Sequence, residues 1–155
     1  MTKDIVVVIG AGGIGAAIAR RQGAGRTILL ADFNAPTLDT AAKGLRGAGL
    51  QVEAMITDVT SRDSVQALAE AAAGLGRVVQ VINTAGLSPN MAPVAKVLEV
   101  DLYGAALVFE VFEQVIAEGG SGLIISSMAG HMMPALPSEQ DQALASTPTE
   151  ALLAL

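Results

Sequence analysis

Short, uninterrupted apolar runs alternate with segments of mixed polarity along this chain. The runs Ile5–Ile9 and Ile28–Ala31 contain no polar residue, and each ends at a turn residue or an acid. Strands buried on both faces of a parallel sheet show this pattern. We predict strands near 4–9, 26–31, 51–56, 78–82 and 121–126, and helices near 13–22, 36–46, 61–74 and 94–118.

This alternation of strands and helices predicts an α/β fold with right-handed crossovers. We expect a Rossmann-type, doubly wound parallel sheet in the order 3-2-1-4-5, in a single domain over residues 1–155. Helix boundary residues agree, since Asn34 before Pro36 is typical of a helix start and Gly76 of a helix end.

The predicted helix 94–118 carries two apolar stripes. One includes Val97, Leu98 and Phe112, and the other includes Leu107 and Val111. A helix that is apolar on two sides is buried on two sides, and the sheet can cover only one of them. The second stripe predicts a homo-oligomer that forms through this helix, with cover from within the chain as the alternative.

The first predicted strand runs directly into a glycine-rich turn, Gly10–Gly15. Gly10 permits the tight turn, Gly12 lets backbone approach a pyrophosphate, and Gly15 lets the next helix pack close to the sheet. The helix N-terminus offers free N–H groups to phosphates. Asp32, after the second strand, stands where a carboxylate accepts hydrogen bonds from ribose hydroxyls. The pattern predicts an adenine dinucleotide site, the alternative being a glycine turn that only connects strand to helix.

Composition and charge narrow the possible functions. The net charge is −6, which argues against a nucleic-acid surface, and no run of about 18 apolar residues predicts a membrane span. The chain has no cysteine and one histidine, His131, so disulfides, thiolate catalysis and multi-histidine metal sites are excluded. His131 is more typical of a loop side chain than of a catalytic base. We expect a cytoplasmic protein with no metal, nucleic-acid or membrane partner.

Three further segments follow the ends of the third, fourth and fifth predicted strands. They are Asp58-Val59, Asn83-Thr84-Ala85-Gly86 and Ser126-Ser127-Met128-Ala129-Gly130. Open α/β sheets bind ligands at these carboxyl ends. Together with the glycine turn, the segments resemble the short-chain dehydrogenase/reductase family over essentially the whole chain. The turn departs from the family by holding two residues, rather than three, between its first glycine and Gly13.

The resemblance implies an oxidoreductase that transfers a hydride between a nicotinamide and a small alcohol or carbonyl substrate. It also implies that the turn that binds the cofactor is formed by Gly10, Gly12, Gly13, Ile14 and Gly15. Asp32 would favour NAD over NADP, because a carboxylate repels a 2′-phosphate.

The resemblance assigns the other segments as well. Asp58 would lie beside the adenine, with Val59 packed against it. Ser127 would be the catalytic serine that hydrogen-bonds the substrate oxygen. In the segment after the fourth strand, the residues that would stabilise the sheet and line the cofactor ribose are Asn83, Ala85 and Gly86.

The family's acid/base pair, Tyr-x-x-x-Lys, is absent from these residues. Tyr103 is the one tyrosine, Leu107 stands four positions on, and the last lysine is Lys96. Asp101, the second catalytic candidate, stands where the family has an asparagine that holds a proton-relay water. We expect a chain truncated before the last strands, with the pair beyond Leu155, and therefore cofactor binding without turnover. The alternatives are a non-catalytic dinucleotide-binding protein (a sensor or inactive partner subunit) and an FAD module.

Overall fold

The computed structural model describes residues 2–155. Its strands form one parallel sheet in the order β3-β2-β1-β4-β5, which confirms the predicted topology. The strands are β1 (Asp4–Ile9), β2 (Thr27–Asp32), β3 (Gln51–Ile56), β4 (Arg77–Asn83) and β5 (Ile116–Ile124).

Helices cover both faces of this sheet. The helices are α1 (Gly13–Gln22), α2 (Ala35–Gly47), α3 (Arg62–Leu75), α4 (Val94–Leu98), α5 (Ala105–Phe112), α6 (Ala129–Met132) and α7 (Ser138–Ser146). Of these, α1 and α2 pack on one face of the sheet, and α3 and α5 pack on the other. A π-helical segment (Glu99–Gly104) joins α4 to α5, and a 3₁₀ helix (Thr149–Ala154) follows α7.

The central strand β1 divides the core into two layers. Ile5, Val7 and Ile9 enter the layer formed with α3 and α5. Val6 and Val8 enter the layer formed with α1 and α2. Because side chains alternate across a strand, an apolar run at this position is buried on both faces. The two layers account for the absence of polar residues from Ile5–Ile9.

The predicted bounds of the last long helix and the last strand are wrong. The helix 94–118 is interrupted by the π segment and ends at Phe112, and the strand begins at Ile116 rather than at 121. The amide of Val115 donates to the Phe112 carbonyl at 3.0 Å, a tightened turn that ends the helix. Ile116 then pairs with Val78 of β4, so this apolar residue belongs to the sheet and not to the helix.

Gly119 and Gly120 consequently lie inside β5 and do not end the helix. Gly119 has φ +76°, and the pairing of β4 with β5 shifts register in this region. Beyond it the strand is exposed, with Leu123 and Ile124 on the surface of the sheet edge. No helix within residues 2–155 is long and apolar enough to cross a membrane.

Candidate functional site

A cavity of about 540 Å³ opens at the carboxyl edge of the sheet, beside the ends of β1, β2, β3 and β4. The strand order reverses around β1, which is where doubly wound sheets bind ligands. We call this cavity the cleft. Its lining is Ile9, Gly10, Gly12, Asp32, Phe33, Asn34, Thr37, Thr57, Asp58, Val59, Thr84, Ala85, Gly86, Leu87, Met91, Lys96 and Val100.

Two glycines of the turn between β1 and α1 are required by close backbone packing. Gly10 has φ +94°, and a Cβ there would collide with the hydroxyl oxygen of Thr84. A Cβ on Gly15 would collide with the carbonyl oxygen of Gly10. The turn is therefore tight and α1 begins close against it, as the sequence predicts for these positions.

Gly12 has the opposite environment, because a Cβ built on it meets nothing within 4 Å. Gly12 lines the cleft and is the N-cap of α1, where no side chain caps the helix within the part of the chain that the structure describes. The first N–H groups of a helix lack partners inside that helix, and they carry the positive end of its dipole. The open space next to Gly12 therefore suits an anionic group such as a phosphate.

Asp32, the last residue of β2, is held against the glycine turn. Its Oδ2 accepts a hydrogen bond from the Ala11 amide at 2.6 Å, and its Oδ1 accepts one from the Asn34 amide at 2.7 Å. These bonds fix the carboxylate at the cleft wall. A carboxylate has more lone pairs than two bonds use, so Asp32 can still accept hydrogen bonds from a ligand.

The end of β4 is tied to the same turn. Thr84 donates from its amide to the Ile9 carbonyl at 2.7 Å, and its hydroxyl lies 2.9 Å from that oxygen. Asn83 is buried, and its Oδ1 accepts from the Ala85 amide at 3.1 Å. Asn83 thus supports the cleft from behind, whereas Thr84, Ala85 and Gly86 line it.

The end of β3 contributes a short polar turn and an apolar contact. Asp58 lines the cleft, and its Oδ1 accepts from the Thr60 amide at 2.9 Å and hydroxyl at 2.7 Å. Val59 is buried and also lines the cleft. Gly104 of the π segment packs on Val59, where an added Cβ would lie 2.9 Å from a Val59 methyl.

Several lining residues were not predicted from the sequence. Phe33 directly follows Asp32 and is 73% exposed, so an aromatic beside the predicted acid could have indicated it. Met91 and Lys96 come from the loop after β4 and from α4, where no periodic pattern marks them. The full unpredicted set is Ile9, Phe33, Asn34, Thr37, Thr57, Thr84, Leu87, Met91, Lys96 and Val100.

The two predicted catalytic residues lie outside the cleft lining. Ser127 is exposed, and its Oγ accepts from the Ala129 amide at 3.1 Å in a local turn. Asp101 lies in the π segment, and its Oδ1 accepts from the Leu87 amide at 2.8 Å. Asp101 therefore holds the loop that forms one wall of the cleft. Gly13, Ile14 and Gly15 belong to the first turn of α1, behind Gly12.

Tyr103 has an environment unlike that of a general base. Burial raises its pKa, and the nearby Glu150 carboxylate raises the pKa further. Its hydroxyl lies 3.2 Å from Glu150 Oε2. A tyrosine acting as a base near neutral pH needs a lowered pKa, so these contacts oppose that role. Among residues 2–155, no three His, Cys, Asp or Glu side chains are placed to hold a metal ion.

Comparison with known proteins gives a consistent result. The sequence model described as short chain dehydrogenase matches residues 4–138. A short-chain dehydrogenase/reductase of Alternaria brassicicola is 39% identical over 133 residues, which are 86% of this chain and 48% of that protein. The cis-4-hydroxycyclohexanecarboxylate dehydrogenase of Sinomonas cyclohexanicum is 36% identical over 135 residues, covering 80% of this chain and 54% of that enzyme. The chain thus spans about half the length of the curated relatives it matches.

Solved structures of the same kind share the fold. A metagenomic short-chain oxidoreductase in complex with NADP superposes with a TM-score of 0.73 at 29% identity, covering 84% of this chain and 65% of that one. A short-chain dehydrogenase/reductase from Burkholderia phymatum in complex with NAD has a TM-score of 0.76 at 26% identity, covering 94% and 56%. These two similar proteins hold different nicotinamide dinucleotides.

Proposed function

Because this chain belongs to the short-chain dehydrogenase/reductase family, we propose that its cleft binds a nicotinamide adenine dinucleotide and prefers NAD to NADP. We further propose that the bound cofactor serves an oxidoreductase acting on a small alcohol or carbonyl compound. The cofactor supplies the hydride donor or acceptor, and the residues of this chain bind and orient it.

The residues present fit such a cofactor. The open space beside Gly12 and the uncapped N-terminus of α1 suit a pyrophosphate. The apolar side chains of Phe33, Val59 and Val100 offer surfaces for the adenine ring. Asp58, at the same edge of the sheet, is available to accept a hydrogen bond from the adenine amino group.

The position of Asp32 is the single observation that carries the preference for NAD. Its carboxylate is fixed at the cleft wall by the amides of Ala11 and Asn34, so it cannot easily turn away from a ligand. The lone pairs that remain on a fixed carboxylate accept hydrogen bonds from ribose hydroxyls, and its negative charge repels a 2′-phosphate. No arginine or lysine follows Asp32 closely in the sequence to offset that charge.

Calorimetric titration with NAD and NADP tests this assignment. We expect the wild-type chain to bind NAD more tightly, and Asp32→Asn to reduce the ratio of the two affinities by about tenfold. Asp39→Asn is the matched control, because Asp39 is an exposed acid on α2 that does not line the cleft. A wild-type preference for NADP would remove the role given to Asp32.

A non-catalytic dinucleotide-binding protein is the second candidate. The observations that favour it are the absence of Tyr-x-x-x-Lys from these residues and the raised pKa of Tyr103. Ser127 remains the proposed partner of a substrate oxygen, although its side chain lies in an exposed turn. Reading the coding sequence past Leu155 for Tyr-x-x-x-Lys separates the two candidates. NADH absorbance tests the predicted inactivity of these residues: we expect the purified chain to bind NAD but to form no NADH from any alcohol tested. Measurable NADH formation would support the dehydrogenase and contradict the predicted inactivity.

We also propose that the chain self-associates through the helix that begins at Val94. Val94 is 70% exposed and Leu98 is 45% exposed, which leaves apolar surface for a second copy. Part of the apolar surface of the segment 94–118 is covered from within the chain. The 3₁₀ helix packs against the π segment, and its Leu152 is buried. Light scattering of Leu98→Glu against the wild type tests the proposal, which a wild-type monomer would contradict.

A further inference from the structure

The charge of the cleft is unfavourable for an anionic ligand except at one residue. Among the described residues that line it, Asp32 and Asp58 are acidic and Lys96 is the one cation. A dinucleotide adds the negative charge of its pyrophosphate. The amides at the start of α1 offset part of this charge, but they are partial dipoles rather than a full charge.

Lys96 already has a partner, and that partner is weakly bound. Its Nζ lies 2.8 Å from Oε2 of Glu99, one turn further along the chain. Both side chains are about half exposed, 49% and 43%. An exposed pair of this kind contributes little to stability, so a phosphate can replace the glutamate without a large cost. Glu99 and the field of Asp58 raise the pKa of Lys96, and the ammonium therefore stays charged at neutral pH.

We propose that Lys96 is the countercharge for the phosphate groups of the nucleotide bound in the cleft, and that Glu99 competes with the nucleotide for it. This inference rests on the proposed function, because it needs a nucleotide in the cleft. In the free protein Lys96 pairs with Glu99. On binding, the ammonium exchanges the glutamate for an anionic group of the ligand, and α4 becomes a wall that selects phosphorylated nucleotides.

Opposite effects are expected from the two partners. Lys96→Met should weaken NAD binding about two- to fivefold and should flatten the dependence of Kd on salt concentration. Glu99→Gln should tighten NAD binding by about twofold, because the lysine is released. Adenosine, which carries no phosphate, should bind the wild type and Lys96→Met equally.

The chain offers a matched control pair. Lys43 and Asp39 form an exposed ion pair on α2 at 2.7 Å, and neither residue lines the cleft. Lys43→Met removes the same charge from the protein as Lys96→Met but leaves the cleft unchanged. It should therefore leave NAD affinity and the salt dependence close to those of the wild type.

Calorimetry of the single variants and of Lys96→Met/Glu99→Gln completes the test. The effect of Glu99→Gln should fall clearly when Lys96 is absent, since the glutamate acts through the lysine. An equal effect with and without Lys96, or a Lys96→Met variant that matches Lys43→Met, overturns the inference while leaving NAD binding intact. If the wild-type chain binds neither NAD nor NADP, the proposed function itself has failed.

Discussion

The glycines of the turn between β1 and α1 lie in two different environments. Gly10 and Gly15 are glycines because neighbouring backbone and the Thr84 hydroxyl occupy the space of a Cβ. Gly12 has no such neighbour, so packing within the chain does not require a glycine there. Its side-chain space belongs to the cleft, and this agrees with the phosphate site predicted from the sequence.

Gly10→Ala should be severely destabilising. The substitution forces alanine into φ +94° and against Thr84, and we expect a loss of about 2 kcal/mol or more in the free energy of unfolding. Gly44→Ala in α2 is the control, since a Cβ there meets nothing within 4 Å and alanine should raise helix stability by up to about 1 kcal/mol. Urea denaturation of both variants measures the contrast. Equal stability of the two would refute the packing argument.

Phe33 is predicted to act on ligand binding and not on stability. It lines the cleft but is 73% exposed, so the fold gains little from it. We expect Phe33→Ala to weaken NAD binding by roughly three- to tenfold through loss of stacking on the adenine, with an unchanged melting temperature. Phe33→Leu should recover part of the affinity. Unchanged affinity in the alanine variant would place the adenine elsewhere.

At the scale of elements, the π segment joins the loop after β4 to the rest of the cleft. Segments of this kind occur frequently at functional sites. Asp101 projects from it to the Leu87 amide, and Gly104 lets it pack on Val59 at the end of β3. The segment therefore connects two walls of the cleft, and Asp101 positions the loop without touching the cleft itself.

Asp101→Ala should loosen this loop. Loss of a hydrogen bond to a charged acceptor should lower the free energy of unfolding by roughly 0.5–1.5 kcal/mol and speed hydrogen exchange at the Leu87 amide. Asp101→Asn keeps an acceptor oxygen, so exchange at Leu87 should stay slow in that variant. Should alanine and asparagine give the same exchange rate, the hydrogen bond would have no positioning role.

At the scale of the whole molecule, the 3₁₀ helix near the end of the chain is held to the helices by ion pairs. Arg62, at the start of α3, pairs with Glu110 of α5 at 2.9 Å and with Glu150 of the 3₁₀ helix at 2.6 Å. Leu152 is buried beside this cluster. The charges hold the 3₁₀ helix against the helical layer, at residues far apart in the sequence.

The cluster should make stability depend on pH in the acid range. The hydrogen bonds from Arg62 and Thr149 lower the pKa of Glu110 from its ordinary value of 4.5. A lowered pKa stabilises the fold above 4.5, and this contribution is lost as the pH falls through the lowered value. Wild type should therefore lose unfolding free energy faster than Glu110→Gln on acidification, and the two should converge at low pH.

The control for this series is Glu113→Gln, next to the end of α5. Glu113 forms no ion pair among the described residues. Its substitution should leave the acid limb of the stability curve close to that of the wild type. Parallel acid limbs for Glu110→Gln and the wild type would mean that solvent screens the pair completely.

The sequence by itself determined the sheet, its strand order and the glycine turn. Apolar runs such as Ile5–Ile9 have the local pattern of a strand buried on both faces, and Gly10 is needed by its own backbone geometry, with φ +94°. The positions of Gly10, Gly12 and Asp32 at one edge of the sheet follow from that topology, because parallel strands end together.

Tertiary structure alone decided where α5 ends, where Lys96 and Phe33 lie, and what Asp101 contacts. The apolar side chain of Ile116 suits a helix as well as a strand, and its pairing with Val78 places it in β5. Lys96 lines the cleft together with Leu87 and Met91 of the loop after β4, a placement that no periodicity along the chain encodes. Local pattern fixes the elements, while contacts between distant residues fix their ends and the walls of the site.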